Sequence, residues 1–182
     1  MGSDLITMRR LLFLAILAAL VFVAAPAMPG DGGRTIDGRV SSVTDGDTLR
    51  VRASEGDRRE YRVRLIGIDT PETNRPNTPV ECGARAASAF MARLASRRRV
   101  VLRTDPSQDA FDRYGRLLAY VTIRGDRRTA EEHILEAGWA EVYVYDGVPF
   151  ERVRRFRAAQ RRARAADRGV WGRCGGDFHR PA

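Results

Sequence analysis

The chain has 182 residues, 43% of them hydrophobic and 8% aromatic, enough for one ordinary core and hardly for two, so a single domain is expected. All 32 basic residues are arginine, against 23 acids, for a net charge of +9. Such a surplus favours a polyanionic partner, because phosphates attract it and released counterions add affinity; an arginine-rich solvated face with no partner is the alternative. The lack of any lysine excludes chemistries built on a motif lysine. Two histidines, His133 and His179, are too few for a histidine-built metal centre; His133 reads as structural or solvated, and His179 falls in a tail expected to be mobile.

Residues 1–27 read as a targeting segment. Arg9 and Arg10 precede the apolar run "LLFLAILAALVFVAA", and Ala25-Pro26-Ala27 then gives an A-x-A cleavage pattern. That run is short for a membrane span, so cleavage after Ala27 and secretion are expected, with an uncleaved membrane anchor as the alternative. An oxidising destination predicts that Cys82 and Cys174 pair, two buried free thiols being the other possibility. No CxxC or Cys/His cluster offers a zinc site.

Residues 28–37 read as a Gly-rich flexible linker, with the compact domain expected over 38–174 and a tail over 175–182. Strands are predicted at 39–44, 47–53 and 60–68, with "SEGD" as a turn. Leu49, Val51 and Ala53 alternate with Arg50 and Arg52, and Tyr61, Val63 and Leu65 with Arg62 and Arg64. Thr78-Pro79-Val80-Glu81 has capping-box spacing, and Ala84, Ala87, Phe90, Met91 and Leu94 follow at helical spacing, which predicts a helix over 80–96. Strands at 99–104 and 116–123 come next, then a short helix capped by Thr129 with Glu132 and stopped by Gly138. "AEVYVY" reads as a brief extended piece, and a helix over 149–168 turns Phe150, Val153 and Phe156 inward beneath an arginine face. Five strands with a helix inserted after the third predict a mainly β, α+β fold: a five-stranded OB-type barrel with about three helices.

The acids interrupt this arginine-rich surface at two places. Asp45 and Asp47 sit at a strand start in "TDGDT", and Asp69 and Glu72 lie in "IDTPET" after the third strand. The intervening hairpin can bring Asp47 and Asp69 together, and neighbouring carboxylates raise one another's pKa unless a cation sits between them. A hard, oxygen-seeking ion such as Ca²⁺ suits them, with the Thr70 main-chain carbonyl as a further donor. An isolated DGD is otherwise a turn closed by an Asx bond, and the EF-hand pattern fails because Leu49 occupies a ligand position. Arg64 and Arg116 are candidate bidentate clamps for phosphate oxygens, and Glu72 is left to take a proton from water or to position it.

Together, "DGDT", "RLIGIDTPET" and "DRYGRLLAYV" resemble the thermonuclease, or staphylococcal nuclease, family over about Val40 to Trp171. The resemblance implies an OB-fold, Ca²⁺ as cofactor, and non-specific hydrolysis of DNA and RNA at the 5′ oxygen to leave 3′-phosphates. It implies Asp47, Asp69 and Thr70 as calcium ligands, Arg64 and Arg116 as catalytic arginines, and Glu72 as the group drawn as general base. Arg113, Tyr114, Tyr143 and Tyr145 fall where the family contacts nucleotide. A monomer with no obligate protein partner is expected. The rival readings are a nucleic-acid-binding module of the same fold without hydrolysis, and a membrane-bound or processing protein using the domain as a partner platform.

Overall fold

A computed structural model describes residues 33–56, 58–73 and 79–182. The expected signal segment, and Thr78 of the expected capping box, lie outside the described residues. Five strands close a barrel in the order β1-β2-β3-β6-β5: β1 (Thr35–Val43), β2 (Thr48–Ala53), β3 (Glu60–Leu65), β5 (Arg99–Arg103) and β6 (Leu117–Ile123). The β1–β2, β2–β3, β5–β6 and β1–β5 pairs are antiparallel, whereas β3 and β6 run parallel with Val63 opposite Leu117. β1 begins three residues before the expected domain start, so Thr35, Ile36 and Asp37 belong to the barrel.

The alternation predicted for β2 and β3 is what fills the barrel. Leu49, Val51 and Val63 are fully buried, Leu65 nearly so, and Ala119 and Val121 meet them from β6. Each large aliphatic side chain withdrawn from water in this way contributes about 1.5–3 kcal/mol. Tyr120 faces the other side of β6 and is buried too, its ring edge-on to Phe156 at 6.0 Å. Its hydroxyl donates to Asp105, which also accepts from Ser107 and, at 2.8 Å, from the Glu151 backbone. Burial alone would raise the Asp105 carboxyl; the donated hydrogen bonds outweigh it and hold the group low.

Two predicted elements are shorter than expected, because distant segments claim their ends. The third strand stops at Leu65, not at residue 68, because Gly67 turns the chain at φ 76° with the Phe150 ring packed where a Cβ would lie. Ile68–Asp69 then forms β4, which pairs with β7 (Glu141–Val142) in a separate two-stranded sheet. The first helix, α1, spans Ala84–Ala95 instead of 80–96. Its cap is Gly83 at φ 87°, and residues 80–82 are drawn into backbone pairing elsewhere, so Pro79 is not the first helical residue. Ala87, Met91 and Ala95 bury the inner face, with Phe90 and Leu94 half-buried.

Helix α2 (Ala130–Glu136) carries the predicted capping box: Thr129 accepts from the Glu132 N–H, and the Glu132 side chain accepts from the Thr129 N–H. Only two residues of "AEVYVY" are strand, and a 3₁₀ turn follows at Tyr145–Gly147. Helix α3 spans Val153–Ala165, shorter than the predicted 149–168 because Phe150 and Glu151 are held in the preceding loop. Phe150 and Phe156 turn inward as expected, their rings 5.4 Å apart, and Val153 is half-buried. A short α4 (Val170–Arg173) leads to Cys174, which forms a disulfide with Cys82. The segment after it is packed, in contrast to the mobile tail expected: Phe178 joins Val170 and Cys174 in a small second core.

Candidate active site

The turn before β2 both accepts the local Asx bond and builds a site. Asp45 Oδ1 accepts from the Asp47 N–H at 3.2 Å, which closes the turn and leaves the Asp47 side chain to point inward. The Asp47 carbonyl accepts from the Leu65 N–H at 2.9 Å, fixing the turn to the end of β3. Gly46 lies so close to Thr70 that a Cβ would come within 2.9 Å of its side chain. Glycine therefore lets the 45–47 turn and the 69–72 loop touch, and this brings Asp47, Asp69 and Thr70 to one place.

Arg64 sits between the two aspartates. One Nη is 3.2 Å from Asp47 and 2.9 Å from Asp69, and the other donates to the Leu65 and Ile68 carbonyls at 3.0 and 2.7 Å. Burial opposes the charge on this guanidinium, but Asp47, Asp69, Asp45 and Glu72 outweigh it and raise its pKa. The acids are the side left short of compensation. Burial, then the Asp47 charge, pushes Asp45 up to about 7. Burial also raises Asp69 despite the opposing pull of Arg64. Asp47 Oδ2, although near Arg64, is a buried oxygen without a hydrogen-bond partner among the described residues.

This donor set fits a hard cation. An orphaned carboxylate oxygen, a second carboxylate beside it and an excess of negative charge are what such an ion relieves. Among the described residues no three acidic, histidine or cysteine side chains form a closed cage. The residues that would hold such an ion are Asp47 and Asp69, with Thr70 beside them, and two carboxylates leave room for further oxygen donors.

Arg116 stands at the start of β6 and is held differently. Its Nε donates to Asp112 Oδ2 at 2.7 Å, and Asp112 Oδ1 accepts from the backbone N–H groups of Arg116 and Tyr114, both at 2.9 Å. Burial would raise Asp112, and these bonds to Arg116 more than reverse it. The Arg116 Nη groups make no hydrogen bond among the described residues, so the fork remains open. Sequence reasoning did not single out Asp112; the i, i+4 spacing to Arg116 in "DRYGR" was the signal for it.

Arg64, Asp69, Arg113, Tyr114, Arg116, Tyr143 and Tyr145 all line one cleft of about 570 Å³. Arg113 and Arg116 both lie over the Tyr114 ring, at 4.9 and 5.5 Å. Tyr114, Tyr143 and Tyr145 are 60%, 47% and 63% exposed, unusual for large rings and suited to stacking on bases. Asp47 and Thr70 are buried behind the cleft. Glu72 is half-buried on the adjoining loop and does not line the cleft, yet its charge acts on Asp45 and Arg64. Sequence reasoning also missed what Glu81 and His179 do: Glu81 accepts from the Glu72 N–H at 2.7 Å, and His179 lies 3.3 Å from Glu81 and 3.9 Å from Asp69. In the sequence Glu81 reads as part of a helix cap, and no local pattern marks a contact between residues as distant as Glu81 and His179.

The closed five-stranded barrel is that of an OB-fold. The sequence profile of the staphylococcal nuclease homologue family matches residues 62–173. Similarity extends to the thermonuclease of Staphylococcus hyicus, 35% identical over 73% of this chain and 74% of that protein. The thermonuclease of Staphylococcus intermedius is 46% identical over 46% of this chain and 47% of its own length. Endonuclease YncB of Bacillus subtilis (strain 168) is 33% identical over 72% of this chain and 59% of its own. The chain therefore spans about half to three fifths of the length of the latter two. It belongs to the staphylococcal nuclease family, and it is a hydrolase of the nuclease class.

Proposed function

We propose that this protein is an exported, calcium-dependent endonuclease that cleaves DNA and RNA non-specifically at the 5′ oxygen. The observation that carries the reading is the convergence of Arg64, Arg116 and Asp69 on one cleft edged by exposed tyrosines, with Asp47 buried against Arg64. Arg113 and the tyrosines hold the chain through phosphate and base faces, without reading base edges, which suits cleavage of any sequence.

Hydrolysis adds a water oxygen to phosphorus and breaks the bond to the 5′ oxygen. The products are a 3′-phosphate and a 5′-hydroxyl. Negative charge grows on the non-bridging and leaving oxygens as this happens; the open fork of Arg116 meets it, and the Arg64 guanidinium, held by Asp47 and Asp69, adds its charge from the same cleft. Glu72 orients the attacking water or takes its proton. Asp47, Asp69 and the Thr70 carbonyl would hold the calcium ion, whose charge draws a phosphate oxygen and lowers the cost of bringing it among carboxylates.

Purified protein incubated with plasmid in Ca²⁺ or in EGTA, followed by end-group analysis, tests this. Fragments with 3′-phosphate ends in Ca²⁺ alone are expected. Cleavage that persists in EGTA, or 5′-phosphate ends, overturns the proposal. Among the described residues no helix is long and apolar enough to cross a membrane. Export itself is tested by the intact mass of the secreted form, expected to start at or near Met28.

A further inference from the structure

Residues 175–182 serve neither the barrel nor the cleft wall, yet they are fastened at both ends to the segment just before α1. At one end stands the Cys82–Cys174 disulfide. At the other, the Cys82 N–H donates to the Arg180 carbonyl at 2.7 Å, and the Ala182 N–H donates to the Val80 carbonyl at 2.8 Å. Between them Phe178 is buried with its ring 5.1 Å from Trp171, and Pro181 bridges Glu81.

What this grip immobilises is Glu81. Its side chain is 2% exposed, an expensive place for a carboxylate unless every lone pair has work. One oxygen accepts from the Glu72 N–H at 2.7 Å; the other lies 3.3 Å from His179 Nδ1. The Glu81 N–H in turn donates to the Glu72 carbonyl at 3.1 Å. One residue thus fixes both backbone polar groups of Glu72. The far side of the His179 ring lies 3.9 Å from Asp69 and 3.8 Å from Glu141, so the same strap reaches the edge of the acidic pair.

We propose that Glu81 is a positioning residue for Glu72, and that residues 175–182, stapled by the Cys82–Cys174 disulfide, form a strap that holds Glu81 in place through His179 and the backbone of 80–82. The inference rests on the reading of Glu72 as the group that orients or deprotonates water. The disulfide then has a task beyond stability, since it sets the geometry of the loop that carries Glu72.

Steady-state cleavage of a single-stranded oligonucleotide at saturating Ca²⁺ tests this with Glu72→Gln, Glu81→Ala, Glu81→Gln, His179→Ala and the Cys82→Ser/Cys174→Ser pair. Glu81→Ala is expected to lower kcat by about 10- to 100-fold with KM within about twofold, the cost of a misplaced but intact group. Glu81→Gln keeps an acceptor for the Glu72 N–H and recovers most of the rate. A Glu72→Gln/Glu81→Ala double variant is expected to be no slower than Glu72→Gln alone, because the two act through one step. His179→Ala and the cysteine pair lower kcat in the same direction by less. Parental kcat in folded Glu81→Ala, or additive losses in the double variant, overturns the proposal. If Glu81→Ala does not fold, parental kcat in both His179→Ala and the cysteine pair overturns it instead. Parental kcat in Glu72→Gln sinks the reading of Glu72 itself, whereas a slow Glu72→Gln beside a parental Glu81→Ala sinks the strap alone.

Discussion

Arg64 and Arg116 face one cleft but are anchored in opposite ways. Arg64 projects from a barrel strand into two carboxylates and two carbonyls, its side chain only 15% exposed. Arg116 hangs from one carboxylate at a turn, with its fork open and Tyr114 beside it. The first guanidinium has a structural task, since it answers charge that the fold has buried; the second is held only in direction. Placement therefore separates a guanidinium that the fold depends on from one that the fold leaves open.

The sharpest way to separate them is to remove each. Arg116→Ala is expected to lower kcat by about 10²- to 10³-fold, the usual cost of losing a preset donor, with Tm unchanged. Arg64→Lys is expected to be crippled comparably, since a point charge cannot reproduce the fork, and to lower stability as well because it leaves Asp47 and Asp69 partly unanswered. Turnover beside thermal unfolding decides this; parental rates in both place the chemistry elsewhere.

A smaller break targets the tether. Asp112→Ala removes the only side-chain hydrogen-bond partner of Arg116 among the described residues and three of the bonds that shape its turn. A loss of about 10- to 100-fold in kcat is expected, most of it absent when Arg116 is already alanine. No coupling between the two in that cycle would show that Asp112 does not aim the fork.

On the far wall, Tyr143→Ala and Tyr145→Ala are each expected to weaken oligonucleotide binding by about 1–3 kcal/mol, the range for a lost base–aromatic stack. KM, not kcat, should carry it. Equal loss in kcat would mean that the tyrosines serve the reacting phosphate.

The mildest test concerns Glu131, buried beneath β6 far from either arginine in role, with one oxygen accepting from the Val121 N–H at 3.1 Å. Burial pushes its carboxyl from the usual 4.5 up to about 8. The folded state therefore holds a proton that the unfolded chain releases, so the contribution is full below about 4.5 and is lost as pH rises to about 8. Glu131→Gln should flatten that decline in a denaturant series across the same window, while the pH–rate profile keeps its shape.

The sequence was most legible where chemistry and local pattern coincide. The β2 and β3 alternation, the Thr129–Glu132 box and the three motifs all rest on neighbours a few residues apart. Cys82 and Cys174 do form a disulfide, an expectation that rested on the predicted export and not on geometry. The missed features depend on distant partners: Gly67 turns where Phe150 packs, α1 starts late because residues 80–82 pair with 180–182, and His179 reaches Glu81. A capping box that reads well in isolation yields when its glutamate is needed by Glu72.

The parallel seam between β3 and β6 brings Arg64 against the strand that follows Arg116, with Arg64 opposite Leu118. Contacts between segments so distant along the chain form only after the intervening loop entropy has been overcome. Until that seam closes, Arg64 and Arg116 lie on segments with no common cleft, so the site is assembled by closure of the barrel and not by any local segment of the chain.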